Sequence, residues 1–229
     1  MTIADDLNKA IYGGSPYEGL DIGSYPLDLQ GWCDEPQIFD SVIAEAKPEL
    51  IIEVGSWKGT SSHYMLNKAP NACMVCVDTW LGSSEHWVSP EFREMLGFKN
   101  GRPTLYEQFM ANVVHAGLQH RVVPLPLPSR LASIVLQKFG VQSSMIYIDG
   151  AHDEASVSED IEAYWPLVSP GGIMLGDDHV EAWSGVMRAV ARFRSKHRQE
   201  IEQTQDIRTR WRATKVTKPK SFWSGVTGR

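Results

Sequence analysis

The chain has 229 residues, 42% of them hydrophobic and 22% charged, which suits one well-buried α/β domain and is short for two. No apolar run approaches the roughly 18 residues of a bilayer span, and Met1-Thr-Ile-Ala-Asp-Asp6 has neither the basic nor the apolar part of a secretion signal. With three cysteines and a net charge of −6, the expected location is the reducing cytoplasm, with no membrane partner.

Charge is uneven. Residues 188–229 hold 12 of the 22 Lys and Arg and only three acids, Glu200, Glu202 and Asp206. The basic residues are scattered and form no nucleic-acid-binding motif, so no nucleic acid is expected; a solvated basic face, or one that meets an acidic subunit, is the reading. Cys73-Met-Val-Cys76 lies in an apolar run without a second pair and reads as core packing.

In chain order, residues 1–35 show no strong period and read as an irregular N-terminal arm. Pro36 opens a helix with Ile38, Phe39, Val42, Ile43 and Ala46 at helical spacing, stopped before Pro48. Leu50 to Val54 is a buried strand, Gly55 to Gly59 a tight turn, and Thr60 or Ser61 caps a helix to about Lys68. Glycines here let backbone amides approach a ligand, and the next helix N-terminus offers more donors. The turn is neither a GxGxxG fingerprint nor a P-loop. Glu53, inside the strand, needs a donor partner once buried. Met74 to Val77 is a second strand ending at Asp78, where a ribose diol is commonly held.

Residues 82–103 make an aromatic-rich excursion with a short helix near 91–96, expected to be a lid on the substrate side. Thr104 caps a helix, and Arg121 to Leu125 is a third strand. Ser129 caps a helix expected to turn Leu131, Ile134, Val135 and Phe139 inward. A fourth strand (Met145 to Ile148), a helix from Glu154 to Trp165, Pro170-Gly-Gly, a fifth strand (Ile173 to Leu175) and a helix over Val186 to Phe193 follow. Ile201 to Gln205 and Thr209 to Val216 close the chain as an antiparallel pair; residues 217–229 are a tail in which Phe222 and Trp223 could dock. The β-α alternation predicts a doubly wound α/β sheet of seven strands, mostly parallel, with a terminal antiparallel hairpin.

The fourth and fifth strands end in carboxylate, at Asp149 and at Asp177-Asp178. As neighbours roughly 5 Å apart, they would bring three carboxylates to the sheet edge where open α/β folds bind ligands. Such groups repel unless a cation sits among them, so a site for magnesium or another hard divalent cation is expected. Simpler roles stay open: Asp149 could hold the amino end of a cofactor, Asp177-Asp178 could cap a helix, and His152 could be a solvated loop residue. His179 and Glu181 are further candidates for metal or substrate contact. Trp57, Trp80 and Trp87 lie on ligand-side loops, where indoles stack on sugars as readily as they fill a core.

Glu53-Val-Gly-Ser-Trp-Lys-Gly59, Asp78 and the terminal hairpin resemble a class I S-adenosylmethionine-dependent methyltransferase of Rossmann-like fold over residues 48–216. More narrowly, Ile148-Asp-Gly-Ala-His-Asp153 with Pro170-Gly-Gly-Ile-Met-Leu-Gly-Asp-Asp178 is similar to the metal-dependent sugar O-methyltransferases of the macrocin kind, and distantly to catechol O-methyltransferase. The resemblance implies a methyltransferase domain over 36–216 and a cofactor held by Glu53, Gly55, Ser56, Trp57, Gly59, Thr60, Ser61, Asp78, Thr79, Ser129 and Asp149. It implies magnesium on Asp149, Asp177 and Asp178, and His152 as general base. Catechol-type enzymes carry a lysine where His152 stands, which argues against a catechol. The implied acceptor is a sugar or glycosylated small molecule; a homo-oligomer stays open. Two alternatives remain at this point: a metal-dependent hydroxylase of a natural product, and a non-catalytic cofactor-binding or assembly module with a basic C-terminal face.

Overall fold

The structure, a computed structural model, describes residues 2–217. Seven strands form one sheet: β1 (Leu50–Val54), β2 (Cys73–Asp78), β5 (Val122–Pro126), β6 (Ser143–Ile148), β7 (Val168–Gly176), β8 (Ile201–Ile207) and β9 (Arg210–Lys215), in the order β5-β2-β1-β6-β7-β9-β8. A separate two-stranded ribbon, β3 (Phe98–Lys99) and β4 (Arg102–Pro103), lies in the excursion after β2. β5 through β7 pair in parallel; β9 is antiparallel to both β7 and β8. The expected seven-stranded, mostly parallel sheet with a terminal hairpin is what the chain forms.

Each parallel strand is an apolar run because helices cover both faces. α2 (Ile38–Ala46), α3 (Thr60–Lys68) and α6 (Leu105–His115) pack on one face, burying Phe39, Met65 and Phe109 against Ile51, Met74 and Tyr147. α7 (Ser129–Lys138), α8 (Glu154–Tyr164) and α9 (Ser184–Lys196) cover the other, burying Leu136, Ile161 and Val190 with Ile52, Val75 and Ile146. Cys73 and Cys76, three residues apart on β2, point to opposite cores and are free thiols, as core packing requires.

Three expectations are corrected. The arm is not irregular throughout: α1 (Ile3–Tyr12) begins at a capping box between Thr2 and Asp5. It covers the open edge of β5, whose outward carbonyls would otherwise invite another strand. Asn8 Nδ2 and Tyr17 Oη donate to Val122 O, each at 3.1 Å, and Tyr12 Oη donates to Pro124 O. Pro124, which has no N–H, sits where an edge strand tolerates it. The second correction is the face of α7. Ala132, Ser133 and Leu136 are buried, whereas Leu131, Ile134 and Phe139 are exposed. Third, Pro170-Gly-Gly lies inside β7 rather than before it, and the irregular pairing between Ser143 and Met145 absorbs the mismatch.

The basic C-terminal segment pairs with acids of its own chain. Arg188 and Arg192 meet Glu154, Lys196 meets Glu162, Arg208 meets Glu35, and Arg212 forms two hydrogen bonds to Glu45 at 2.6 and 2.8 Å. The charge asymmetry read from the sequence is largely closed within the fold. Among the described residues no helix is long and apolar enough to cross a membrane. Phe222 and Trp223 lie outside the described residues.

Candidate active site

The strand order reverses between β1 and β6, the switch point at which open α/β sheets hold ligands beyond the carboxyl ends of the strands. The two turns there are pressed together. Gly55 has φ +92°, and a Cβ on it would lie 1.9 Å from the carbonyl oxygen of Asp149. Gly55 N donates to Val77 O and Asp149 N to Val54 O, both at 2.8 Å. Only glycine fits such a contact.

The predicted cofactor residues divide into two groups. Trp57, Gly59 and Asp78 line the turn itself: Trp57 N donates to Asp78 Oδ2 (2.9 Å) and Trp80 N to Asp78 Oδ1 (2.8 Å). Each oxygen keeps a further lone pair for a hydroxyl. Burial raises the Asp78 pKa despite these amides. The others are held by bonds within the fold. Glu53 is fully buried and accepts from Ser61 Oγ at 2.6 Å and from Ser62 Oγ, pinning the start of α3; burial raises its pKa against those bonds. Ser56 is buried beside Glu53 and Cys76. Thr60 Oγ1 donates to Leu29 O (2.6 Å), and the exposed Thr79 accepts from Leu81 N. Ser129 Oγ donates to Asp160, whose buried carboxyl is pushed up to about 6, and Tyr164 Oη donates to Ser129 O.

A segment of the arm that sequence reading left unassigned is stitched across this turn. Lys58 pairs with Asp28 (2.7 Å), Asn112 bridges the Asp28 and Lys58 carbonyls, and Trp57 Nε1 reaches Gln30. Trp32 packs on Trp57 (5.5 Å between ring centroids), His86 (5.8 Å) and Phe92 (6.1 Å), and Trp57 on His86 (4.7 Å). His86 and Phe92 belong to α4 (Ser84–Val88) and α5 (Pro90–Met95) of the 82–103 excursion. Trp32, Trp57, His86 and Phe92 thus form an aromatic wall from three chain segments, with Trp32 53% exposed. Trp80 instead is core, donating from Nε1 to Trp57 O and packing on Phe109. Trp87 serves the excursion, against Phe98. Cys33 of the arm is held neutral, pushed up to about 11 by burial, which outweighs Arg210 and is reinforced by Glu53, Asp149 and Asp177.

The strand-end acids are brought close but do not converge as three free ligands. Tyr147 Oη lies 2.7 Å from Asp177 Oδ2 and 3.0 Å from Asp149 Oδ2. Arg210, 1% exposed, places Nη2 2.8 Å from the same Asp177 oxygen. Asp177 Oδ1 accepts from Asp178 N (2.9 Å) and Thr209 Oγ1 (3.3 Å). Asp178, at φ +59°, turns toward His152, whose Nε2 is 2.9 Å from Asp178 Oδ2. Burial, then the charges of Asp177 and Asp178, push Asp149 well above the usual carboxylate range. Among the described residues no three His, Cys, Asp or Glu side chains gather as a metal site. The donor set therefore does not fit the expected magnesium: four protein groups already face Asp177, Asp149 meets Tyr147, and Asp178 is committed to His152. His179 faces Asp206 at 3.6 Å and Glu181 starts an exposed turn, so neither joins the cluster.

His152 stacks on Trp183 (centroids 4.1 Å apart, 30° between planes). The hydrogen bond to Asp178 raises its pKa above the ordinary value against its partial burial. Tyr147, Arg210, Trp183 and Trp32 were not singled out from sequence. A charged residue inside a buried strand, as Arg210 is, demands a partner and was the available signal.

Residues 52–179 match a family model described as a methyltransferase domain. No curated protein sequence matches the chain. Solved structures with the same fold include the O-methyltransferase TomG from Streptomyces achromogenes, in complex with SAM (15% identity, 83% of each chain, TM-score 0.59). Another is an O-methyltransferase from Bacillus cereus in complex with SAH (14% identity, 94% of this chain and 97% of that one, TM-score 0.54). A third is CalS11, a TDP-rhamnose 3'-O-methyltransferase of calicheamicin biosynthesis (15% identity, 79% and 78%, TM-score 0.54).

Proposed function

Because the chain belongs to the methyltransferase domain family, whose model spans more than half of its length, we propose that it is an S-adenosylmethionine-dependent O-methyltransferase acting on a hydroxyl of a sugar or glycosylated small molecule. The observation that carries this reading is the meeting of the glycine turn (Gly55, Trp57, Asp78) and the His152–Asp178 pair at one switch point.

The donor, when bound, supplies a sulfonium-activated methyl that needs only an aligned nucleophile. The protein's task is to prepare that nucleophile. An alcohol holds its proton too tightly to attack near neutral pH, so a base must remove it. The bond from Nε2 to Asp178 leaves Nδ1 of His152 as the nitrogen free to accept a proton. Asp178 stabilises the imidazolium that forms, the logic of a base oriented by a carboxylate, and Trp183 fixes the ring plane. Asp78, held by two amides, is placed to receive the ribose hydroxyls. The lid excursion supplies the acceptor side: Glu85 of α4 raises the His152 pKa through its charge, so that helix lies within electrostatic reach of the base. The aromatic wall offers a face on which a sugar ring stacks.

Calorimetric titration of S-adenosylhomocysteine, followed by mass analysis of glycosides incubated with S-adenosylmethionine, tests the proposal. Micromolar binding and a gain of one methylene in a glycoside are expected. Absence of binding defeats the cofactor assignment, and methylation undiminished in His152→Asn defeats the base.

A further inference from the structure

We infer that the guanidinium of Arg210 fills the place among the strand-end carboxylates where a divalent cation would sit, so that the methyl transfer proposed above, on which the catalytic half of this inference rests, proceeds without one. A carboxylate accepts at about four sites, and four protein groups face those of Asp177: Oδ2 lies 2.7 Å from Tyr147 Oη and 2.8 Å from Arg210 Nη2, while Oδ1 lies 2.9 Å from Asp178 N and 3.3 Å from Thr209 Oγ1. A metal on Asp177 would have to displace one of them.

Arg210 is also not free to leave. Nη2 donates to Asp34 O at 2.8 Å and Nη1 approaches Glu35 O at 3.4 Å, so the arm holds the guanidinium from above. Its centre lies 5.2 Å from the Phe39 ring, and the residue is 1% exposed. A dication placed on Asp177 would face this fixed positive charge across protein rather than water, where repulsion is weakly screened. Of the other two acids, Asp178 is turned to His152 and Asp149 faces Tyr147 Oη at 3.0 Å.

Arg210 is therefore a positioning residue. It orients Asp177, which with Asp149 holds Tyr147 Oη at the floor of the site, and it ties that floor to residues 34–35 of the arm. The planar guanidinium matches this task better than an ammonium, because one group serves a carboxylate and two carbonyls at once.

The test is a titration of the full-length protein with Mn2+, read by calorimetry and by electron spin resonance, beside a titration of S-adenosylhomocysteine. Wild type is expected to show no saturable Mn2+ binding at millimolar concentration and to methylate equally before and after chelator treatment. Arg210→Gln, which frees Asp177, is expected to bind Mn2+ at least about tenfold tighter than wild type, and Arg210→Lys to remain as metal-blind as wild type. Submillimolar Mn2+ binding to wild type that disappears in Asp177→Asn overturns the inference. So does an Arg210→Gln protein that still binds S-adenosylhomocysteine yet binds no more Mn2+ than wild type. Because the wild-type titration needs no variant, the inference is exposed even if Arg210→Gln fails to fold. Loss of S-adenosylhomocysteine binding in wild type strikes the functional proposal instead and leaves the metal result to stand by itself.

Discussion

Gly55→Ala isolates the contact on which the site is built. Two costs add. The left-handed φ of +92° charges an L-residue ~1–2 kcal/mol. The new methyl would also lie 1.9 Å from Asp149 O, 2.5 Å from Asp149 C and 2.8 Å from Gly150 Cα. All three are backbone atoms, so no side chain can rotate away, and the β1 and β6 turns must separate. Overpacking of this kind costs ~1–3 kcal/mol, for a total of about 2–5 kcal/mol. For a domain of this size that is a fall in melting temperature of roughly 4–20 °C. Gly140→Ala is the matched control, with φ +67° and nothing within 4 Å of the added Cβ; it bears only the backbone cost. Scanning calorimetry should show the larger fall for Gly55→Ala. Affinity for S-adenosylhomocysteine should drop at least about tenfold in that variant and stay unchanged in the control. Equal melting temperatures with equal affinities would refute the claim that the turn–turn contact shapes the ligand site.

The hydrogen bond from His152 to Asp178 raises the His152 pKa, so kcat/KM should rise with pH through a value above the ordinary ~6.5; in Asp178→Asn that limb should move to lower pH, and an unmoved limb would exclude His152 as the titrating base. The same pair stabilises the fold below the unfolded-state histidine pKa and is lost as pH rises through the folded one. Asp160 works in the same sense over a lower window: burial pushes its carboxyl up to about 6, so folding is most favoured below the unfolded carboxylate value and loses support as pH rises from there to about 6. Asp160→Asn should then melt higher than wild type at pH 8, by about 2–3 kcal/mol in stability, and lose that advantage near pH 4; a pH-independent difference would show that the carboxyl titrates alike in the folded and the unfolded chain. Trp32→Ala should raise the acceptor KM about 2- to 12-fold, the equivalent of one aromatic contact of ~0.5–1.5 kcal/mol, with kcat little changed; a fall in kcat alone would remove the wall from acceptor binding.

Elements with one strong local signal were legible in the sequence. β1, β2, β6 and the core of β7 are short apolar runs, and every one ends at or beside a site residue: Gly55, Asp78, Asp149 and Asp177. α1 was missed although Thr2 and Asp5 form its capping box and Ile3, Leu7 and Ile11 repeat at helical spacing; Asp in place of Glu weakens the usual signature. The inward face of α7 was misjudged by assuming that large apolar residues turn in. Small Ala132 and Ser133, with Leu136, face the sheet, leaving Leu131, Ile134 and Phe139 exposed. Burial there follows the space available to the helix rather than hydrophobicity alone.

The site was legible as a set of positions and not as a set of bonds. Alternation along β6 places Tyr147 on the same side as Asp149, and neighbouring strands bring Asp177 beside it. That much follows from sequence. Which cation answers those acids does not, because it depends on the antiparallel register of β9 against β7, where Gly176 pairs with Trp211 and Arg210 falls next to the strand end. A shift of one residue would turn Arg210 to the opposite face. Close carboxylates require positive charge or protons, but they do not say whether it comes from an ion or a side chain. Here the hairpin delivers a guanidinium to Asp177, and the arm carbonyls of Asp34 and Glu35 keep it there. The acids that read as metal ligands are thereby drawn into the scaffold that joins arm, hairpin and sheet beneath the proposed base.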